Sequence, residues 1–124
     1  MLYEEVTKVL FEEFPDFHMD HDDDFDLPYI VAGYFGQYLL DSYNNGARET
    51  YKRGLDFIER LHLSNIHKVR ELATVGYLES LLGWPDEAIL FSDLGSESKK
   101  WWSELNLFWS GKVRYIGETF DQTE

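Results

Sequence analysis

The stretch Asn65–Gly83, NIHKVRELATVGYLESLLG, constrains the fold more than any other part of this chain. At 3.6 residues per turn, Ile66, Val69, Leu72, Ala73, Gly76, Leu78, Leu81 and Leu82 cover far more than one stripe. A surface helix needs a single apolar face, so a helix with apolar positions on several sides must touch two or three neighbours. Ala73 and Gly76 stand one i,i+3 step apart. Glycine costs roughly 1 kcal/mol in a helix interior, and close approach of another helix there compensates that cost. Ser64 or Asn65 is suited to cap the start, and Gly83-Trp84-Pro85 stops the run. The expectation is a central core helix.

The flanking segments read as helices around it. LYEEVTKVLFEEF, residues 2–14, is amphipathic through Leu2, Val6, Val9, Leu10 and Phe14, and Pro15 ends it. Residues 15–27 read as an acidic loop, with five Asp among Asp20–Asp26 whose mutual repulsion favours neither helix nor strand. Pro28 suits a first helical position, and Ile30, Val31, Tyr34, Phe35, Tyr38, Leu39 and Tyr43 give the helix after it a broad apolar face. A short strand over Tyr29–Val31 is the alternative. Gly33 and Gly36 weaken this helix in isolation and point to close packing. Asn44-Asn45-Gly46 is a break.

In the helix that follows, Tyr51, Leu55, Ile58 and Leu61 form the buried stripe, flanked by Phe57. Arg48, Glu49, Lys52, Arg53, Asp56, Glu59 and Arg60 read as a solvated face of mixed sign. Pro85-Asp86-Glu87 opens a short helix whose acidic start meets the helix dipole favourably, and Gly95 ends it. A last helix, SESKKWWSELNLFW, carries Trp101, Trp102, Leu105, Phe108 and Trp109, too many apolar groups to leave exposed. In the tail, residues 111–124, Val113 and Tyr115 alternate, which suggests a short extended segment. The fold class is all-α: one domain over residues 1–124, an irregular bundle or short stack of about six helices.

A chain of 14.7 kDa removes roughly 14,000 Å² from water on folding, enough for one core without staples. Cysteine is absent, which excludes disulfides and thiolate metal sites and fits a reducing compartment. No basic-then-apolar leader and no apolar run near the ~20 residues of a membrane span is present, so a cytoplasmic location is expected. The net charge is −13, and it is unevenly placed. Ten carboxylates and a single cation, Lys8, fall in the first 26 residues, giving nine of the thirteen net negative charges. Such a surface repels nucleic acid and anionic membranes and attracts basic partners.

Chemistry is sparse. His18, Asp20, His21, Asp22, Asp23 and Asp24 form the only ligand-like cluster. As a calcium loop it fails: a register from Asp20 puts Phe25 at the turn glycine and Val31 at the bidentate glutamate, and one from Asp22 puts Leu27 and Gly33 there. A third zinc donor is not identified, so neither metal nor cofactor is expected. His62 and His67 lack an HExxH arrangement, and no nucleophile-elbow, Walker-type or dinucleotide-binding pattern occurs. An enzyme is not expected. Aromatic residues make up 17% of the chain, and Tyr34, Tyr77 and Trp84 stay open between core packing and interface anchoring.

The segment Lys68–Trp109 resembles the C-terminal half of small helical immunity proteins of bacterial polymorphic-toxin and contact-dependent growth inhibition systems. The likeness lies in Leu78-Glu79 running into Leu82-Gly83, the acidic start Asp86-Glu87, Leu94-Gly95, and a lysine- and tryptophan-bearing helix ending Phe108-Trp109. The aromatic-glycine second helix and the Gly46 break resemble that family's N-terminal half; Pro15–Asp26 departs from it. The resemblance implies an antitoxin that binds one cognate toxin domain and occludes its active site or substrate surface. Charge adds an independent reason, because an acidic partner is steered onto a basic nuclease. The expected contact residues are Asp20, Asp22, Asp23, Asp24 and Asp26 for charge, with Tyr34, Trp84, Asp86 and Glu87, Trp84 serving as a desolvated anchor. Two other classes compete: an inhibitor that mimics nucleic acid, which needs charge spaced along an elongated face, and an acidic helical adaptor with no tight basic partner. Partner identity and oligomeric state are not legible from these residues.

Overall fold

The computed structural model describes residues 1–19 and 22–121, the side chains of Asp22, Asp23 and Asp121 excepted. The chain is all-α, and no strand occurs among the described residues. A 3-10 turn at Tyr3–Glu5 leads into α1 (Val6–Glu13). Then come α2 (Pro28–Asn44), α3 (Arg48–His62), α4 (His67–Glu71), α5 (Glu87–Asp93), α6 (Ser96–Trp109) and α7 (Glu118–Asp121).

The expected central helix is present, but not as one regular α-helix. α4 passes directly into a π-helical stretch, Leu72–Leu78, and then a 3-10 turn, Glu79–Leu81. Six of the seven π residues are buried. The wider turn brings more of the circumference into contact with neighbours, consistent with apolar residues on several sides of the run. α2, α3 and α6 all pack against it. At Gly76 an added Cβ would stand 3.3 Å from both Ala32 Cβ and Tyr29 Cδ1, so the close partner foreseen from sequence is α2. Gly36 performs the same service from the other side, its Cα facing Ser80 so closely that a Cβ would lie 3.1 Å from the Ser80 carbonyl oxygen. The start of the run differs from expectation: Ile66 is the N-cap residue and offers no side-chain bond, while Ser64 Oγ accepts the Ile66 N–H at 3.1 Å.

An aromatic cluster fills the centre. Phe35 of α2 meets Phe14, Phe17, Phe57 and Tyr77 with ring centroids 5.0–6.3 Å apart, mostly edge to face. Such pairs contribute about 0.5–1.5 kcal/mol beyond the area they bury. Tyr51, Leu55, Ile58 and Leu61 of α3 are all buried as the spacing required, and Phe57 joins them.

Two expectations about side chains are overturned. Glu59 is not on a solvated face: its carboxylate accepts the N–H groups of Glu97 (3.1 Å) and Ser98 (2.9 Å), capping α6 from a neighbouring helix. The orphan donors and positive end of α6 attract it there. Trp109, in the last turn of α6, is 61% exposed, whereas Trp102 and Leu105 are buried. The tail is not extended either. After Gly111 it turns back, Thr119 donates to Glu104 on α6, and Phe120 packs edge-on against Trp101. The short helix α7 satisfies backbone groups that a lone extended segment would leave to water.

Candidate partner-binding face

Pro15 and Asp16 turn the chain after α1, and Phe17 then drops into the core, 2% exposed. Phe11, on the outer side of α1, stacks on Phe17 at 5.0 Å and on Phe25 at 4.5 Å. This pair of stacks folds the acidic segment back over α1. Residues Asp22–Asp26 accordingly form a 3-10 helix rather than the irregular loop that charge repulsion suggested. The stacking of Phe25 on Phe11 gives this short helix an apolar contact that repulsion among its carboxylates does not overcome.

Of the acidic residues expected at a partner face, Asp20 lies outside the described residues, as do the side chains of Asp22 and Asp23. Asp24 is half-buried, and its Oδ2 accepts the Tyr34 hydroxyl at 3.4 Å, so Tyr34 positions the acidic segment against α2. Asp26 is exposed. Beside it the structure uncovers what sequence reasoning missed. Phe25, Leu27, Tyr29 and Ile30 are 43%, 47%, 39% and 44% exposed, four large apolar groups within six positions. Phe25 and Leu27 alternate with aspartates in the sequence, and Ile30, expected on the apolar face of α2 with Val31 and Phe35, lies at the uncovered edge of that face instead. Tyr29 is held by its hydroxyl, which donates to Glu71 at 3.3 Å; burial and the Glu71 carboxylate push its phenol up to about 12. An apolar centre with a charged rim is the ordinary anatomy of a protein interface.

Trp84, Asp86 and Glu87 do not join this face. Trp84 is 5% exposed, stacked on Tyr51 and set edge-on to Tyr43, each at 5.7 Å. It is a core residue and not a surface anchor: Gly83, at φ +84°, turns the chain so that the indole swings inward. Tyr43 and Tyr29 sit at opposite ends of α2, roughly 20 Å apart along its axis. Asp86 caps α5, its carboxylate accepting the Ile89 N–H at 3.2 Å, and Glu87 is exposed in the first turn. Tyr77 is fully buried in the aromatic cluster; burial raises its phenol pKa beyond the ordinary range.

One polar constellation does bring an acid, a serine and a histidine together. His62 Nδ1 lies 2.9 Å from Ser98 Oγ, and Nε2 lies 2.9 Å from Thr74 Oγ1. Ser98 Oγ lies 2.9 Å from Glu59 Oε1. With the Ser98 hydroxyl donating to Glu59, the neutral ring is protonated at Nδ1, and the single Thr74 proton goes to Nε2 at 2.9 Å in preference to the Arg70 carbonyl oxygen at 3.3 Å. Ser98 is fully buried and His62 3% exposed, so no substrate reaches either group. The network ties α3 to α6 and the central run. Burial drives the His62 pKa down to about 4, against the opposing pull of Glu59 and Glu97. In Glu59 burial acts to raise the pKa, but the Ser98 and Glu97 N–H groups and the Ser98 hydroxyl more than offset it and hold it below the usual carboxylate range.

Among the described residues, no three His, Asp or Glu side chains converge to hold a metal ion, and no helix is long and apolar enough to cross a membrane. Comparison with curated proteins and with solved structures finds no match. A family described as a domain of unknown function (DUF7674) matches residues 7–110, from the first turn of α1 to the end of α6. The chain belongs to that family.

Proposed function

We propose that this protein is an immunity protein, binding a cognate basic toxin domain of nuclease type and covering its active site or substrate surface. The observation that carries this reading is the placement of charge. Nine of thirteen net negative charges belong to the first 26 residues, and the acidic 3-10 helix there adjoins four uncovered apolar side chains. Charge of this kind speeds encounter with a basic surface and rejects partners of like sign, while desolvated apolar contacts hold the complex. The resemblance of Lys68–Trp109 to helical immunity proteins points the same way, and the work would be done in the cytoplasm without a cofactor. A nucleic-acid mimic is less well served, because it needs charge spaced along an elongated face and here the charge clusters in one segment of the chain.

The test is an affinity pulldown from the source cells, washed at low and at high salt, with bound species identified by mass. One stoichiometric basic toxin-like domain surviving high salt supports the proposal. A broad set of basic proteins at low salt and none at high salt refutes it and leaves an acidic helical adaptor.

A further inference from the structure

Between the start of α1 and the acidic 3-10 helix the surface sinks into a cleft of about 510 Å³. Tyr3 and Thr7 form one wall, Phe25 and Pro28 the other, and Glu4 and Asp26 stand on the rim. Among the described residues, Lys8 is the one cation lining it. Phe25 is 43% exposed there even though one of its faces stacks on Phe11, so an apolar surface faces the opening. Leu27 and Ile30 continue uncovered apolar surface beyond the cleft.

We propose that this cleft is the anchor site for the partner, and that it takes a protein segment bearing one large apolar side chain flanked by lysine or arginine. This deepens the reading above and rests on its basic partner. The walls supply an aromatic, desolvating slot of the kind that hot-spot side chains fill. The rim carboxylates, in the segment that holds most of the net charge, select the sign of the flanking groups. A second copy of this chain is a poorer occupant: two such faces brought together set Glu4 and Asp26 of one copy against those of the other, within a segment that carries most of the net negative charge. A free anion or an anionic lipid surface is repelled for the same reason.

The experiment is an amide NMR titration of the whole protein with three capped tripeptides, acetyl-Lys-Trp-Lys-amide, acetyl-Lys-Gly-Lys-amide and acetyl-Glu-Trp-Glu-amide. The first is expected to move amides of residues 3–8 and 25–30 and to bind about tenfold more tightly than either of the others. Asp26→Lys, an exposed change, is expected to remove that preference while leaving the remaining spectrum in place. Equal binding of the glycine peptide would reduce the cleft to a charge effect, and equal binding of the acidic peptide would leave the rim without a role; either overturns the proposal. So would an absence of binding, or shifts centred on the exposed Trp109 end of α6. Shifts of the cleft amides on simple dilution would identify a second copy as occupant and overturn it too. The two readings fail separately. A captured toxin whose affinity ignores Asp26→Lys removes the cleft and keeps the immunity function; selective peptide binding with no toxin captured does the reverse.

Discussion

Glu59 of α3 and Ser98 of α6 are joined twice, since one carboxylate receives the Ser98 N–H and the Ser98 hydroxyl, and it takes the neighbouring Glu97 N–H as a third bond. Gly95, the N-cap residue of α6, has no side chain to offer and must have none, because a Cβ there would run into the Glu59 carboxylate. His62, one turn after Glu59, extends the same contact inward to Thr74. Three helical segments therefore depend on one buried polar network, and that dependence sets how the fold responds to acid.

His62 titrates from an unfolded value near 6.5 to a folded value of about 4. A depressed histidine pKa means the folded state favours the neutral ring. Its stabilisation is fully present above about pH 6.5 and is lost progressively as pH falls from there towards 4, in total on the order of 3 kcal/mol. Glu59, also depressed, adds a loss as pH falls below the ordinary carboxylate range. Urea unfolding at pH 7.5 and pH 5.0 checks this: the native protein should lose stability between them, and His62→Gln should flatten that difference while lowering stability at pH 7.5.

Gly33 and Gly36 lie one turn apart on α2 and should respond oppositely to alanine. Gly36→Ala meets Ser80 Cβ at 2.8 Å and the Ser80 carbonyl oxygen at 3.1 Å, so the helices must separate, a cost of about 1–3 kcal/mol. Gly33 has nothing within 4 Å of an added Cβ, and Gly33→Ala should stabilise by about 0.5–1 kcal/mol. Chemical denaturation of the two variants against the native chain measures both.

The tryptophans divide in the same manner. Trp84→Ala removes a buried ring from contact with Tyr43 and Tyr51 and should cost about 3–5 kcal/mol. Trp109→Ala, at 61% exposure, should change stability by no more than about 0.5 kcal/mol. Thermal unfolding followed by circular dichroism separates them, and native-state fluorescence should lose blue-shifted intensity only in the Trp84 variant, buried Trp102 supplying what remains.

How far these features could be read from the chain depended on what kind of signal carried them. The helices were legible because periodicity and breaks are local: Pro15, Pro28, Gly46 and Gly83 each stand where an element starts or stops, and Gly76 announced a close neighbour. The π-helical stretch was not, because Leu72–Leu78 has apolar residues at spacings compatible with either helix, and tertiary contacts decide. Glu59 looked like one of several charges on a solvated face; its role depends on α6 arriving 38 residues later in the chain. At the candidate face, charge was visible as composition, but the uncovered Phe25 and Leu27 were obscured by the aspartates around them, and Ile30 was grouped with the apolar face of α2 although it stays uncovered. Trp84 misled for the opposite reason: a tryptophan beside a turn resembles an anchor, and only packing against Tyr43 and Tyr51 reveals it as core.

Leu27→Ser and Ile30→Ser, made together, remove two exposed apolar side chains at the start of α2. Neither is buried, so stability should stay within about 0.5 kcal/mol per site. Dissociation of the captured partner should quicken, since apolar contacts act on complex lifetime more than on encounter. Surface plasmon resonance alongside denaturant unfolding reads the two effects independently.

The central claim is that charge on the acidic N-terminal segment steers a basic partner onto this protein. Its most direct test is the association rate with the captured partner as a function of ionic strength, for the native chain and for Asp22→Asn, Asp23→Asn, Asp24→Asn and Asp26→Asn combined. The account predicts slower association and a flatter salt dependence in the variant, with the two rates converging at high salt. An unchanged on-rate with an unchanged salt slope would contradict it.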